Sequence, residues 1–182
     1  MAHIAVQDGV PGIRSLAAYR PDTGKILYDL TQILLRGEST LSEGERELIA
    51  TYVSSLNACM FCMKTHGAAA KYILGQVSDI VDKVISDYLS APISDKMKSL
   101  LTIAECVQQD AKTVSEQEIA NAKTHGATDR EIHDAVLIAS AFCMFNRYVD
   151  GLASLTPTDP KVYEEIGVRL GTIGYVPPVP QQ

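Results

Sequence analysis

Leu41-Ser42-Glu43-Gly44-Glu45-Arg46-Glu47-Leu48-Ile49-Ala50 decides how the rest of the chain is read. Ser42 and Glu45 match a capping box, in which a serine hydroxyl accepts from a free backbone N–H and a glutamate three residues later reaches back. The same signature opens two further segments, Ser115 with Glu118 and Thr128 with Glu131. Gly37, Gly75, Gly126 and Gly171 follow helical patterns where a left-handed C-terminal residue is needed. No long run alternates apolar and polar residues, and no Asn-Gly or Asp-Gly hairpin occurs, so the predicted fold class is all-α.

These signals predict about eight helices, over 23–36, 43–57, 60–74, 78–90, 95–110, 116–125, 129–151 and 160–170. Residues 1–22 carry Pro11, Gly12 and Pro21 and are expected to form an irregular arm. Residues 172–182 include Tyr175-Val176-Pro177-Pro178-Val179-Pro180, which favours an extended polyproline tail. Both ends are expected either to be disordered or to wrap a neighbouring subunit. Ile26, Leu27, Leu30, Ile33 and Leu34, and likewise Ile132, Val136, Leu137, Ala139 and Ser140, describe helical stripes that belong to a core or an interface.

The 182 residues suit a single domain. With 46% hydrophobic and 21% charged residues, the composition is that of a packed protein rather than a disordered one. A net charge of −6 argues against nucleic-acid binding, which needs phosphate neutralisation. The longest apolar run, residues 135–145, falls short of the ~20 that a bilayer span requires, so no membrane helix is expected. The first eight residues show no basic start and no hydrophobic block, which predicts a cytoplasmic protein. Four cysteines are too few for a disulfide scaffold, and no glycine-rich phosphate loop follows a strand.

In a reducing compartment a close cysteine pair is more often catalytic or metal-binding than a staple, and Cys59-Met60-Phe61-Cys62 is such a pair. With Asn57 as the expected cap, both cysteines fall around the first turn of the next helix, where free N–H groups and the macrodipole favour a thiolate. Cys62 and His66 are four residues apart and share a helix face, so the imidazole can take the thiol proton. Glu47, on the preceding helix, can orient that imidazole. Two sulfurs at this spacing can close a disulfide, so one can attack a peroxide and become a sulfenic acid that the other condenses with. Two other readings compete. A zinc site wants four ligands, and only Cys59, Cys62, His66 and Glu47 are at hand. Two inert buried thiols would be ordinary core residues.

Sliding the cysteine region by 84 residues places Glu47 on Glu131, Cys59 on Cys143, Cys62 on Asn146 and His66 on Asp150, which predicts an internal duplication of a helical unit. His125 precedes Gly126 and reads as a helix C-cap, and His133 as a partly buried polar residue. Cys106 and Cys143 sit on apolar helix faces and read as core. Arg147 and Asp150 are candidates for an ion pair or a subunit contact.

The string from Leu41 to Ala50, followed by Val53-Ser54, Asn57, Cys59, Cys62 and His66-Gly67-Ala68, resembles the alkylhydroperoxidase AhpD-like branch of the carboxymuconolactone decarboxylase family. Pro11-Gly12-Ile13-Arg14, Arg20-Pro21-Asp22-Thr23-Gly24 and Asn146-Arg147 resemble its peroxidase-related subgroup. The resemblance implies a helical fold assembled as a homo-oligomer, trimer or hexamer. It also implies a thiol-dependent peroxidase, with Cys62 as the attacking thiol, Cys59 as the resolving thiol and Glu47 with His66 as a proton relay. The substrate would be hydrogen peroxide or an organic hydroperoxide, and the partner an external dithiol reductant, with no metal and no bound cofactor. Phe61 departs from the family, whose members often carry a second histidine there, which implies a shorter relay. The alternative from another class is a redox-sensing or assembly protein whose cysteine pair switches an oligomer interface without fast turnover.

Overall fold

The three capping boxes all form. In the computed structural model, which describes residues 2–75 and 79–176, Ser42 Oγ accepts from the Glu45 N–H at 3.2 Å while Glu45 takes the Ser42 N–H at 2.8 Å. Ser115 with Glu118 and Thr128 with Glu131 repeat the arrangement. Reciprocal capping satisfies two of the four donors that every helix start leaves open.

The described residues contain nine α-helices and no strand: α1 (Ile13–Tyr19), α2 (Pro21–Arg36), α3 (Glu43–Leu56), α4 (Met60–Ile73), α5 (Ile80–Asp87), α6 (Asp95–Asp110), α7 (Glu116–Thr124), α8 (Asp129–Gly151) and α9 (Pro160–Ile173). A single 3₁₀ turn, Ala111–Thr113, follows α6. None of these helices is long and apolar enough to cross a membrane. The all-α expectation holds, with one helix more than the eight predicted.

The extra helix is α1, which replaces part of the expected irregular arm. Pro21 is not a breaker there. It keeps Arg20 out of the helical region, which ends α1, and its fixed φ then starts α2 as the first helical residue. Leu16 and Ala17 are buried, and that packing holds the short helix.

At the other end, α9 runs on through Gly171 to Ile173, so the tail expected from residue 172 begins later. Gly167 and Gly171 are contact residues rather than helix stops. A Cβ at Gly167 would come 2.7 Å from the Ala68 carbonyl, and one at Gly171 would overlap the Tyr72 ring. Their absent side chains let α9 lie directly on α4. The left-handed stop is Gly174 at φ +68°, after which the Tyr175 N–H donates to Gln32 Oε1 at 2.7 Å. Residues 177–182 of the predicted tail lie outside the described residues. Gly75 and Gly126 do adopt positive φ, whereas Gly37 is extended.

The core lies where α3, α6 and α8 meet, with Ile49, Val53, Leu100, Ile103, Ile138 and Phe142 buried between them. Each large apolar side chain so buried contributes ~1.5–3 kcal/mol relative to exposure. On its other side α3 carries α4, and α4 carries α9. The correspondence over 84 residues is interrupted in the backbone at one point. The first copy breaks at Asn57-Ala58-Cys59, where Ala58 takes φ +55°, while its counterpart is the uninterrupted α8.

Candidate active site

Glu47 is the pivot of the site. It is fully buried on α3, and its two oxygens face different partners. Oε2 meets His66 Nδ1 of α4 at 2.8 Å. Oε1 accepts from Arg36 Nη2 of α2 at 2.6 Å and from the Tyr175 hydroxyl at 2.6 Å. Tyr175 Oη also lies 3.0 Å from His66 Nδ1. The four side chains form a closed ring, with the Arg36 guanidinium over the Tyr175 ring and the His66 ring stacked beside it. An isolated buried carboxylate would be protonated to escape desolvation. Here burial opposes ionisation, but His66, Arg36 and the Tyr175 hydroxyl outweigh it and hold Glu47 below the usual carboxylate range. Burial, with Glu47 adding to it, pushes the Tyr175 phenol well above its ordinary value, so it stays a donor.

This ring orients the imidazole. A carboxylate can only accept, so the proton of the neutral ring sits on Nδ1 and Nε2 is left as the basic nitrogen. The His66 ring meets Phe142 edge to face at 4.6 Å and lines a cavity of about 50 Å³. Cys62, Phe61 and Tyr175 line the same cavity. His66 and Cys62 therefore share one wall, one helical turn apart on α4 as the spacing predicted. Among the described residues no hydrogen bond joins them.

Cys59 is the N-cap of α4, and Cys62 lies in its first turn. Asn57, expected as that cap, instead ends α3. Its amide donates to Asn146 Oδ1 at 2.9 Å and accepts from Gln108 at 3.0 Å. Asn146 in turn donates to Ser54 Oγ at 3.1 Å. Both cysteines are free thiols. Cys59 is sealed at 0% exposure with Val149 and Tyr163, while Cys62 keeps 4% and faces the cavity. The surroundings of Cys62 work against the expected thiolate. A hydrogen bond shared with Cys59 and burial push the Cys62 thiol far above the ordinary range, and the Asn146 amide only partly opposes them. Burial outweighs the helix N-terminus because both thiols are removed from water together.

The remaining candidates fall elsewhere. His125 caps α7 and its ring bonds Ser99 at 2.8 Å. His133 is exposed and sits beside Asp134. Arg147 donates to the Cys143 carbonyl at 2.9 Å, and no ion pair joins it to Asp150 among the described residues. Glu131 pairs with Lys96 at 2.8 Å. No cluster of three or more His, Cys, Asp or Glu stands ready for a metal among the described residues.

Arg36 and Tyr175 were not legible in the sequence. One sits at the end of an amphipathic helix, where a basic residue is ordinary, and the other sits in a stretch dominated by proline.

The fold sets a Cys-x-x-Cys pair and a glutamate, histidine and tyrosine cluster within one helical domain, and comparison with known proteins finds similar helical folds. The model of the carboxymuconolactone decarboxylase family matches residues 21–87, which contain Arg36, Glu47, both cysteines and His66. A peroxidase-related protein of uncharacterised function from Silicibacter sp. TM1040 is 28% identical, with a TM-score of 0.77 over 85% of this chain and 79% of that one. Another, from Ralstonia eutropha JMP134 and described as an alkylhydroperoxidase AhpD core, is 27% identical, with a TM-score of 0.76 over 93% and 83%. A protein of unknown function from Agrobacterium tumefaciens, 21% identical with a TM-score of 0.70 over 81% and 99%, shares the fold. No curated protein matches the chain in sequence. The backbone is the AhpD-like helical fold. Residues 21–87 match the carboxymuconolactone decarboxylase family, and the Silicibacter and Ralstonia proteins share the fold around them.

Proposed function

We propose that the protein is a thiol-dependent peroxidase that reduces hydrogen peroxide or an organic hydroperoxide through Cys62 and Cys59. One observation carries this reading: Cys62 lines a cavity that His66 also lines, while Cys59 is fully buried in the same apolar cluster as Cys62. The alkylhydroperoxidase description of the Ralstonia relative supports it.

His66 Nε2 takes the Cys62 proton as substrate binds, and the Glu47, Arg36 and Tyr175 ring steadies the imidazolium that forms. The sulfur then attacks one peroxide oxygen. An S–O bond forms, the O–O bond breaks, sulfur loses two electrons, and the other oxygen leaves as alcohol or water with the proton from His66. Cys59 sulfur next attacks the Cys62 sulfenic acid, forming the S–S bond and expelling water. An external dithiol returns two electrons and two protons and leaves as its own disulfide. The cycle needs no metal and no bound cofactor, and free thiols suit a cytoplasmic setting. Exposed Ile26 and Ile33 on α2 favour a homo-oligomer.

The test compares peroxide consumption by wild type, Cys62→Ser and Cys59→Ser with a dithiol present. Wild type alone should turn over, and equal rates in all three would remove the reading. The raised Cys62 thiol favours one rival, a slow redox sensor. A sensor would oxidise once, change its oligomeric state and consume little peroxide.

A further inference from the structure

The cavity that holds Cys62 and His66 adjoins a groove of about 380 Å³ bounded by Gly9, Pro11, Leu155 and Pro157. Arg14, Ile166 and Arg169 line both spaces and so stand at the boundary between them. Arg14 comes from α1 and Arg169 from α9, with Tyr28 of α2 close to both. Neither guanidinium has a carboxylate partner or a hydrogen-bond acceptor among the described residues, and Arg169 Nε is buried without one. The Tyr28 hydroxyl likewise makes no hydrogen bond among them. Glu165 borders the outer groove but pairs with neither arginine. The two cations repel each other, and a protein seldom holds two half-buried guanidiniums together without an anion between them.

We propose that Arg14 and Arg169, with the Tyr28 hydroxyl, form a carboxylate-binding passage that selects a small organic hydroperoxide bearing an acid group. This deepens the peroxidase reading and rests on it. The guanidinium forks grip the carboxylate, and the peroxide end reaches through to Cys62. The inner space of about 50 Å³ admits a hydroperoxy group and a few carbons, which sets the size class. Beside the passage the wall is apolar, with Ile13, Leu27 and Ile166, so the rest of the substrate is short and aliphatic.

The test uses a matched pair, tert-butyl hydroperoxide and 3-hydroperoxy-3-methylbutanoate, which differ by one carboxylate. Reduced wild-type protein is mixed with each in a single turnover without added thiol, so that only the peroxide step is read. The acid should react about tenfold faster at low salt, as a charge-assisted contact predicts. Its advantage should shrink as ionic strength rises from about 0.05 to about 0.5 M, a comparison that needs no variant. In the Arg14→Gln, Arg169→Gln double variant the ratio of the two rates should fall toward one, and the double lysine variant should restore part of it. Equal rates in wild type, or a ratio untouched by salt and by the double variant, would overturn the proposal and leave the peroxidase reading standing. If neither hydroperoxide oxidises the thiols, the peroxidase reading fails. Calorimetric titration with 3-hydroxy-3-methylbutanoate then decides the passage. Binding to wild type that the double variant loses supports it, and no binding or equal binding sinks it.

Discussion

Tyr175 and Glu47 are 128 residues apart in sequence and 2.6 Å apart at the hydroxyl and carboxylate oxygens, buried in one ring with His66 and Arg36. Tyr175 is therefore a positioning residue. Tyr175→Phe should cost ~1.5–3 kcal/mol of stability, the worth of a buried hydrogen bond to a charge. The Tyr175 hydroxyl helps hold Glu47 below the usual carboxylate range, so its removal should also move the acid limb of the pH–rate profile upward. A profile that does not move, with stability lowered, would make the role purely structural.

The cysteine pair predicts an asymmetric mutant series. Cys59→Ser should still react once and accumulate a sulfenic acid at Cys62, detectable by a dimedone adduct in mass spectrometry. Cys62→Ser should form no adduct on Cys59, which is sealed from the cavity. Adducts on Cys59 would reverse the assigned roles.

The neighbouring Cys59 thiol and burial hold the Cys62 proton above the ordinary thiol range. The peroxide step should therefore keep accelerating from about pH 7 to about pH 9, past the ~8.5 of a free thiol, instead of levelling off below it. Stopped-flow rates across that range check the slope, and a plateau near neutrality would contradict it.

Glu131 is pulled down to about 2 against its burial by Lys96 and the capping box at Thr128. A carboxyl lowered in the folded state contributes stability that is complete above its unfolded value, near 4.3, and drains away as pH falls toward 2. Glu131→Gln should flatten the acid-unfolding curve between about pH 4 and pH 2 while lowering stability at neutral pH. Circular dichroism melts at stepped pH measure both.

Gly167→Ala should destabilise the protein by ~1–3 kcal/mol, because the new methyl meets the Ala68 backbone at 2.7 Å and α9 must lift from α4. That exceeds the ~1 kcal/mol that alanine gains over glycine inside a helix. Lifting α9 also withdraws Tyr175, so activity should fall with stability. A variant as stable as wild type would mean that the contact relaxes freely.

Amino-acid order alone determined what depends on near neighbours. Capping boxes at Ser42, Ser115 and Thr128 marked their helix starts, because a cap and its partner lie three residues apart. The same local logic put Cys62 and His66 on one helix face. Pro21 and Gly171 were misread because each has two meanings: proline can stop one helix or start another, and glycine can end a helix or let a second one touch it. Which meaning applies depends on a surface that only packing supplies.

Tertiary structure decided the burial of Cys62, the ring around Glu47 and the placing of Arg14 and Arg169 beside the cavity. Burial and Coulomb attraction depend on distance through space, and Tyr175, Arg14 and Arg169 come to line one cavity with Cys62 only once α9 has folded onto α4 and α1 onto α2 and α8.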